Sequence, residues 1–196
     1  IFNFKAMPKV ERIERGLIED TGSESFRYKI TDSGISPRWI PSKEKKPYLG
    51  NSDEHLKDGT STEGSEETIM MVSKRLRKLG TLKKELPEPI LYGDKNPDLI
   101  FVGWGSVKNT VLDAMDIDKD SRKIAYLHYE YISPLKTQTL EELINNNKRL
   151  ILIENNQTGQ LGSYIRENIG YEFKEKLLKY DGRPFFVEDI LDFLKN

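Results

Sequence analysis

The feature of this sequence that most constrains its fold is a regular alternation of apolar runs with amphipathic segments after Pro97. Four runs have the length and continuous apolar character of buried strands: DLIFVGW, KIAYLHYEYI, RLILIE and KLLKY. The segments that follow them have helical periodicity: VKNTVLDAMD, TLEELINNN, TGQLGSYIRENIG and FFVEDILDFLKN. Strands that alternate with helices form right-handed βαβ units. The pattern therefore predicts an α/β domain with a small, mostly parallel sheet and helices on both faces.

The residues before this alternation predict an extended, loop-rich segment with one helix. Gly, Pro, Ser and Asp are frequent in TDSGISPRWIPSKEKKPYLGNSDEHLKDGTSTEGS and in LPEPILYGDKNP, which we expect to be loops. A helix is predicted between them, from Ser65 to Leu79, with Ser65 as its N-cap. Its apolar residues are spaced to form one stripe: Ile69, Val72, Leu76 and Leu79.

The same helix carries four basic residues near its predicted end: Lys74, Arg75, Arg77 and Lys78. Two interpretations fit them, a phosphate-binding cluster and a solvated face that suits the negative end of the helix dipole. The solvated face is the favoured one.

Composition excludes several classes of protein. The 32 acidic and 31 basic residues nearly cancel, so neither a nucleic-acid partner nor a membrane surface is indicated. No apolar run approaches the length of a membrane span and no signal peptide opens the sequence, so we expect a cytoplasmic protein. The absence of cysteine excludes disulfides and thiolate-bound metal clusters within this sequence. Since the first residue is Ile1, we expect a piece of a longer polypeptide.

Three unusual stretches follow predicted strands. They are Gly103-Trp104-Gly105-Ser106, Glu154-Asn155-Asn156 and Asp181-Gly182-Arg183. Because the carboxyl ends of parallel strands share one edge, we expect these stretches to be neighbours at a surface with Gly159 and Gln160. Asp181 should hold a turn through backbone N–H groups, Gly182 should take an unusual conformation, and Arg183 should offer its guanidinium for docking.

Several residues also suggest other sites. Gly103-x-Gly105 after a strand is a partial dinucleotide motif, but the third glycine position holds Lys108, so a tight strand-to-helix turn is favoured. His55 lies among acidic residues, where a solvated loop is favoured over a metal site. His128, in an apolar strand, is expected to be a hydrogen-bonded core or edge histidine. The residues alone leave open a free-standing nucleotide- or acyl-carrier-binding α/β module.

Taken together, five ordered blocks resemble one family. FRYKITDSGISPRWIP, DEHLKDGTSTEGSEETIMMVSKRLRKL, IFVGWGS, ILIENNQTGQLGSYI and LLKYDGRPF resemble the C-terminal part of the α subunit of 2-oxoacid:ferredoxin oxidoreductases. The 2-oxoglutarate-type and broad-specificity archaeal enzymes are the most similar. The resemblance covers nearly the whole chain.

The resemblance implies both a division of the chain and an activity. Residues 1–92 would be the tail of a pyrimidine-binding domain with a linker wrap, and 93–196 a domain like the C-terminal domain of transketolase. The family converts 2-oxoacids to acyl-CoA by coenzyme A-dependent oxidative decarboxylation and reduces ferredoxin. It uses thiamine diphosphate, Mg²⁺ and a [4Fe-4S] cluster, none of which this segment is expected to bind. The implied partners are the β subunit and upstream α or fused γ-α domains, and no catalytic residue is expected here.

Overall fold

The predicted alternation of strands and helices is present in the structure. The computed structural model describes residues 26–41, 47–50 and 52–195. In these residues five helices form: α1 (Ser65–Glu85), α2 (Val107–Asp118), α3 (Gln138–Asn145), α4 (Gln160–Ile169) and α5 (Val187–Lys195). The same residues form five strands: β1 (Ile90–Gly93), β2 (Leu99–Trp104), β3 (Ile124–Tyr129), β4 (Arg149–Glu154) and β5 (Glu175–Leu178).

The strands form one sheet in the order β1-β3-β2-β4-β5. Strands β2 and β3, β2 and β4, and β4 and β5 pair in parallel, while β1 pairs antiparallel with β3. The sheet is therefore mostly parallel, as the alternation predicted.

Side chains of each central strand alternate between two apolar layers. In β2, Ile100 and Val102 belong to the layer that contains Leu140 of α3 and Leu161 of α4. Phe101 points to the other layer, with residues of α2 and α5. Burial of each such side chain stabilises the fold by about 1.5–3 kcal/mol. Helices thus cover both faces, which confirms the predicted fold class.

The prediction that LPEPILYGDKNP is entirely a loop was wrong, because its residues Ile90–Gly93 form β1. Its Ile90 lies opposite His128 of β3. The strand has only four residues, and among the strands that the structure describes it lies at an edge of the sheet. Pro89 precedes it, and Gly93 ends it with φ 96°. The flanking proline and glycine are typical of a turn, so the sequence does not indicate this edge strand, which is stabilised by its pairing with β3.

The chain divides into two compact units, which are the described residues of Ile1–Thr81 and those of Leu82–Asn196. The sheet lies in the second unit. The proposed domain boundary at 92/93 stays a prediction. Among the residues that the structure describes, no helix is both long and apolar enough to cross a membrane.

In the first unit, the polar face of α1 holds the preceding loop. Lys74 is only 6% exposed, and its Nζ donates to the backbone carbonyl of Tyr28 at 3.2 Å. Arg77 donates to the carbonyl of Thr31 at 3.3 Å. Burial, followed by repulsion from neighbouring cations, lowers the pKa of Lys74 to about 8. The prediction of a solvated basic face was wrong for Lys74, which is buried against a loop carbonyl, whereas Arg75, Arg77 and Lys78 are exposed as predicted.

An ion pair joins α1 to a second part of the loop. Arg75 donates to both carboxylate oxygens of Glu54, at 2.9 and 2.5 Å. The ring of the next residue, His55, lies 4.0 Å from that of Tyr28, and its Nδ1 is 3.0 Å from the carbonyl of Leu56. His55 is thus half-buried rather than fully solvated, because its ring packs on an aromatic neighbour. Within 26–41, 47–50 and 52–195, no three His, Cys, Asp or Glu residues cluster to bind a metal.

The Glu54–Arg75 pair predicts acid sensitivity of the first unit. The Arg75 hydrogen bond is the main cause that lowers the pKa of Glu54 from 4.5 to about 2. Because this pKa is lower in the folded state, the pair stabilises the fold above about pH 4.5 and loses this effect as the pH falls toward 2. Glu54→Gln should remove part of the acid-induced loss of stability in that window, measured by urea denaturation across pH.

Glu63→Gln, at an exposed position of the same loop, is the matched control and should keep the wild-type pH dependence. An unchanged pH dependence in Glu54→Gln would show that the pair does not stabilise the fold.

Candidate functional site at the carboxyl edge of the sheet

The carboxyl ends of β2, β4 and β5 bring the three unusual stretches to one edge, as predicted. Strand β2 ends at Trp104 and β4 at Glu154. The turn at 181–183 follows β5 closely. One hydrogen bond links two of these stretches, because Asn155 Nδ2 donates to the backbone carbonyl of Arg183 at 3.4 Å.

A buried carboxylate organises this edge. Glu154 is 1% exposed and accepts a hydrogen bond from the indole Nε1 of Trp104 at 3.0 Å. It also accepts the backbone N–H groups of Leu161 and Gly162, at 3.0 and 3.2 Å, and Nδ2 of Asn156 at 2.8 Å. The N–H groups at the start of α4 supply the positive potential that a buried carboxylate requires. Glu154 therefore fixes both the Trp104 ring and the start of α4.

Asn156 completes the start of this helix. Its Oδ1 accepts the backbone N–H groups of Gly159 and Gln160, at 2.7 and 3.2 Å. Gly159 has φ 63°, a left-handed conformation in which other residues are strained. Gly162 lies against the sheet, where an added Cβ would be 2.5 Å from Leu152 Cδ2. Asn156 thus holds the loop before α4, and the two glycines let α4 approach the sheet.

The turn after β5 also has the predicted local structure. Asp181 Oδ1 accepts the backbone N–H of Arg183 at 3.0 Å, and Gly182 has φ 81°. Lys179 pairs with Asp189 at 3.0 Å and with Asp181 at 3.4 Å. The hydrogen bond to Asp189 is the main cause that raises the pKa of Lys179. Backbone hydrogen bonds, to Arg183 and Phe186 respectively, are the main cause that lowers the pKa values of Asp181 and Asp189.

An open cleft of about 500 Å³ lies at this edge, and it gathers only part of the predicted site. It is lined by Ser106, Asn155, Lys179, Tyr180, Gly182, Arg183 and Pro184. Asn156, Gly159 and Gln160 lie instead at the start of α4. The Arg183 side chain is exposed, and so are the residues on either side of it.

The prediction that Gly103 forms part of the strand-to-helix turn was wrong. It belongs to β2 and lies inside the sheet, where an added Cβ would be 2.7 Å from the carbonyl oxygen of Ile153. The turn itself is made by Gly105, with φ 66° and open space around it. Gly103 therefore allows β2 to pack closely against β4, and Gly105 allows the chain to turn out of β2.

His128 is a core histidine, which confirms the favoured interpretation. It is 6% exposed, and its Nδ1 lies 2.9 Å from the hydroxyl of Tyr126. Burial, followed by the charge of Lys108, lowers the pKa of His128. The ring is thus held in its neutral form near pH 7.

The sequence argument missed the central role of Glu154 and a second cleft. The apolar run RLILIE ends in an acidic residue, Glu154. Because charged residues are rarely buried unless they have partners, an acid at the end of a buried strand indicates a specific role. The second cleft, about 420 Å³, lies in the first unit and is lined by Arg27, Arg38, Trp39, Ile40, Pro41 and Tyr48. The guanidinium of Arg27 lies 5.4 Å from the Tyr28 and Tyr48 ring centres.

Glu154→Gln should destabilise the second unit by about 1–3 kcal/mol, because an amide has one acceptor oxygen and turns an NH₂ group toward N–H donors. Guanidinium denaturation measures the loss, and hydrogen exchange should show earlier opening at the start of α4. The control is Glu167→Gln on the exposed side of α4, which should change stability by less than about 0.5 kcal/mol. Equal stability of the two variants would contradict the role assigned to Glu154.

Comparison with known proteins identifies related chains. No family model matches the sequence. The 2-oxoacid:ferredoxin oxidoreductase subunit alpha of Saccharolobus solfataricus is 33% identical over 190 residues, which are 94% of this chain and 30% of that protein. Subunit alpha of 2-oxoacid:ferredoxin oxidoreductase 1 from Sulfurisphaera tokodaii is 30% identical over 183 residues, 91% of this chain and 28% of that protein.

A solved structure has the same fold. It is the 2-oxoglutarate:ferredoxin oxidoreductase from Magnetococcus marinus with 2-oxoglutarate, coenzyme A and succinyl-CoA bound. The TM-score is 0.75 at 22% identity, over 91% of this chain and 31% of that one. The chain spans less than a third of the length of the curated relatives it matches. With nearly all of its own residues matched to these subunits, the chain belongs to the family of 2-oxoacid:ferredoxin oxidoreductase α subunits.

Proposed function

We propose that this chain is the C-terminal segment of the α subunit of a 2-oxoacid:ferredoxin oxidoreductase, and that it serves as scaffold and docking surface. The whole enzyme would convert a 2-oxoacid and coenzyme A to acyl-CoA and carbon dioxide and reduce ferredoxin, in the cytoplasm. The observation that carries the proposal is the match of 94% of the chain to such a subunit. The comparisons do not favour the alternative of a free-standing nucleotide- or acyl-carrier-binding module.

The ionisable groups of the edge suit a scaffold. Lys179 pairs with both Asp181 and Asp189, and the pKa of each of the three groups moves away from neutrality. Such groups keep their charge near pH 7 and are poor proton carriers. Glu154 is enclosed by its four donors, so it positions α4 and Trp104 instead of contacting a substrate.

The described residues do not fit the cofactors that the family implies. Thiamine diphosphate is held through Mg²⁺, but among residues 26–41, 47–50 and 52–195 no suitable group of carboxylates and histidines lies together. The sequence has no cysteine to hold an iron–sulfur cluster. We therefore assign thiamine diphosphate, Mg²⁺ and the [4Fe-4S] cluster to other parts of the enzyme.

The cleft at the carboxyl edge supplies the proposed docking surface for the β subunit or an upstream α domain. Its turn is fixed by Asp181 and by the Asn155 bond to the Arg183 carbonyl, while the Arg183 guanidinium is exposed. Tyr180, 63% exposed, lies beside it. A preorganised turn with an exposed arginine and an aromatic ring is typical of an interface anchor, because little conformational entropy is lost when the partner binds.

The activity test compares the segment with its parent. The 196-residue chain alone should give no 2-oxoacid-dependent reduction of ferredoxin or viologen dye, with thiamine diphosphate and coenzyme A added. The parent α subunit, co-expressed with β, should give reduction that depends on both the 2-oxoacid and coenzyme A. Activity of the chain alone would overturn the scaffold role, and an inactive, fully loaded parent complex would overturn the proposed function.

The docking test uses Arg183→Ala in the parent α subunit. If Arg183 pairs with a carboxylate or carbonyls across a buried interface, the change should weaken subunit association by about 2–5 kcal/mol, because its partner is left unpaired. Calorimetry of subunit binding measures the loss, and the melting temperature of the free subunit should stay the same. The matched control is Arg166→Ala, an exposed arginine of α4 that pairs with exposed Glu172, at 3.4 Å. Equal binding by both variants would exclude Arg183 as an anchor.

A further inference from the structure

The sequence contains two Asp-Gly pairs, Asp58-Gly59 and Asp181-Gly182. Such a pair can react with itself, because the backbone nitrogen of the glycine is able to attack the side-chain carboxyl carbon of the aspartate. Glycine favours this reaction, since it has no Cβ to obstruct the approach and its backbone is free to rotate. In a folded chain the reaction depends on whether the glycine nitrogen and the backbone around it are held in place.

The two aspartates have the same local structure. Asp58 Oδ1 accepts the backbone N–H of Thr60 at 2.9 Å, and Asp181 Oδ1 accepts that of Arg183 at 3.0 Å. The glycines between them have φ values of 98° and 81°. The backbone hydrogen bond is also the main cause that lowers the pKa of each aspartate. The two carboxyl groups are therefore comparable in geometry and in charge.

The two glycines differ in their surroundings. Gly59 is buried, its N–H donates to the carbonyl of Leu56 at 3.0 Å, and an added Cβ would collide with the carbonyl oxygen of Leu49. Gly182 is exposed, and no atom lies within 4 Å of the place where its Cβ would stand. In the part of the chain that the structure describes, no hydrogen bond engages the Gly182 N–H. Attack by its nitrogen therefore breaks no such bond, whereas attack by that of Gly59 requires the loop to open.

We propose that Asp181-Gly182 is a site of isoaspartate formation in the folded chain, and that Asp58-Gly59 is protected. In the first step a bond forms between Gly182 N and Asp181 Cγ. The hydroxyl of the protonated carboxyl group leaves as water with the proton of the amide, which gives a five-membered succinimide. In the second step water opens this ring. Opening at the main-chain carbonyl carbon leaves a backbone that runs through the former side chain and is one carbon longer.

The modification changes the turn that holds Arg183. The carboxylate of the product branches from a different carbon, so its present hydrogen bond to the Arg183 N–H and its ion pair with Lys179, at 3.4 Å, are both lost in their native form. The turn should then be less ordered. The effect of this change on subunit association rests on the docking surface proposed above, but the modification itself does not.

The test is incubation of the purified, folded 196-residue chain in water enriched in heavy oxygen, because each ring opening adds one heavy oxygen atom. Peptide mass spectrometry locates the label, and chromatography separates aspartyl from isoaspartyl peptides. Residue 181 should be labelled at least about tenfold faster than residue 58, because attack at Gly59 must wait for a buried hydrogen bond to open. In the chain unfolded by urea, the two sites should react at similar rates, since each is then a free Asp-Gly pair.

Asparagine variants separate the structure around the glycine from the acidity of the carboxyl group, because an amide loses ammonia in the first step. In the folded chain, Asp181→Asn should deamidate at least about tenfold faster than Asp58→Asn. Asp181→Glu should remove the label from residue 181, since its ring would need six atoms, and should leave residue 58 unchanged.

Equal labelling of the two sites in the folded chain would overturn the proposal, as would a folded chain in which residue 181 stays unlabelled. Binding of the labelled chain to its partner subunit is measured separately. Label at residue 181 with unchanged binding would support the modification site and exclude the turn as an anchor.

Discussion

The second unit depends on one buried carboxylate, that of Glu154. A parallel strand that ends in a charged residue needs donors in a place with little water, and here the first N–H groups of α4, an asparagine amide and the Trp104 indole provide them. The order in which the chain supplies these donors matters. The strand, the short loop and the helix are consecutive, so satisfying the carboxylate also sets the angle between β4 and α4. Hydrogen bonds to one side chain thus determine how a strand and the helix after it pack together.

The first unit uses cations for a similar purpose. In the described part of its loop, the backbone carbonyls of Tyr28 and Thr31 accept hydrogen bonds from side chains of α1. Lys74 loses solvation in this position, and this burial, followed by repulsion from the neighbouring basic groups, lowers its pKa. The helix therefore holds the loop through polar side chains.

Sequence pattern predicted most of the fold and the local parts of the edge. Continuous apolar runs identified β2 to β5, and turn chemistry identified the roles of Asp181 and Gly182, because those signals depend on neighbours in the chain. Strand β1 and the burial of Lys74 could not be predicted, since both depend on partners more than 30 residues away. Periodicity likewise placed the apolar stripe of α1 correctly, but it does not say what covers the stripe. The assignment of Ser106, Asn155 and Arg183 to a docking surface stays a proposal.

The short outer strands also affect how the sheet meets other molecules. Strands β1 and β5, at its two borders, have four residues each, while the three inner strands have six. Each border therefore offers only a few unpaired backbone groups, and Pro89 removes a donor beside one of them. An incoming strand would gain too few hydrogen bonds to extend the sheet in register. Short edge strands and an adjacent proline are features that limit edge-to-edge pairing between sheets.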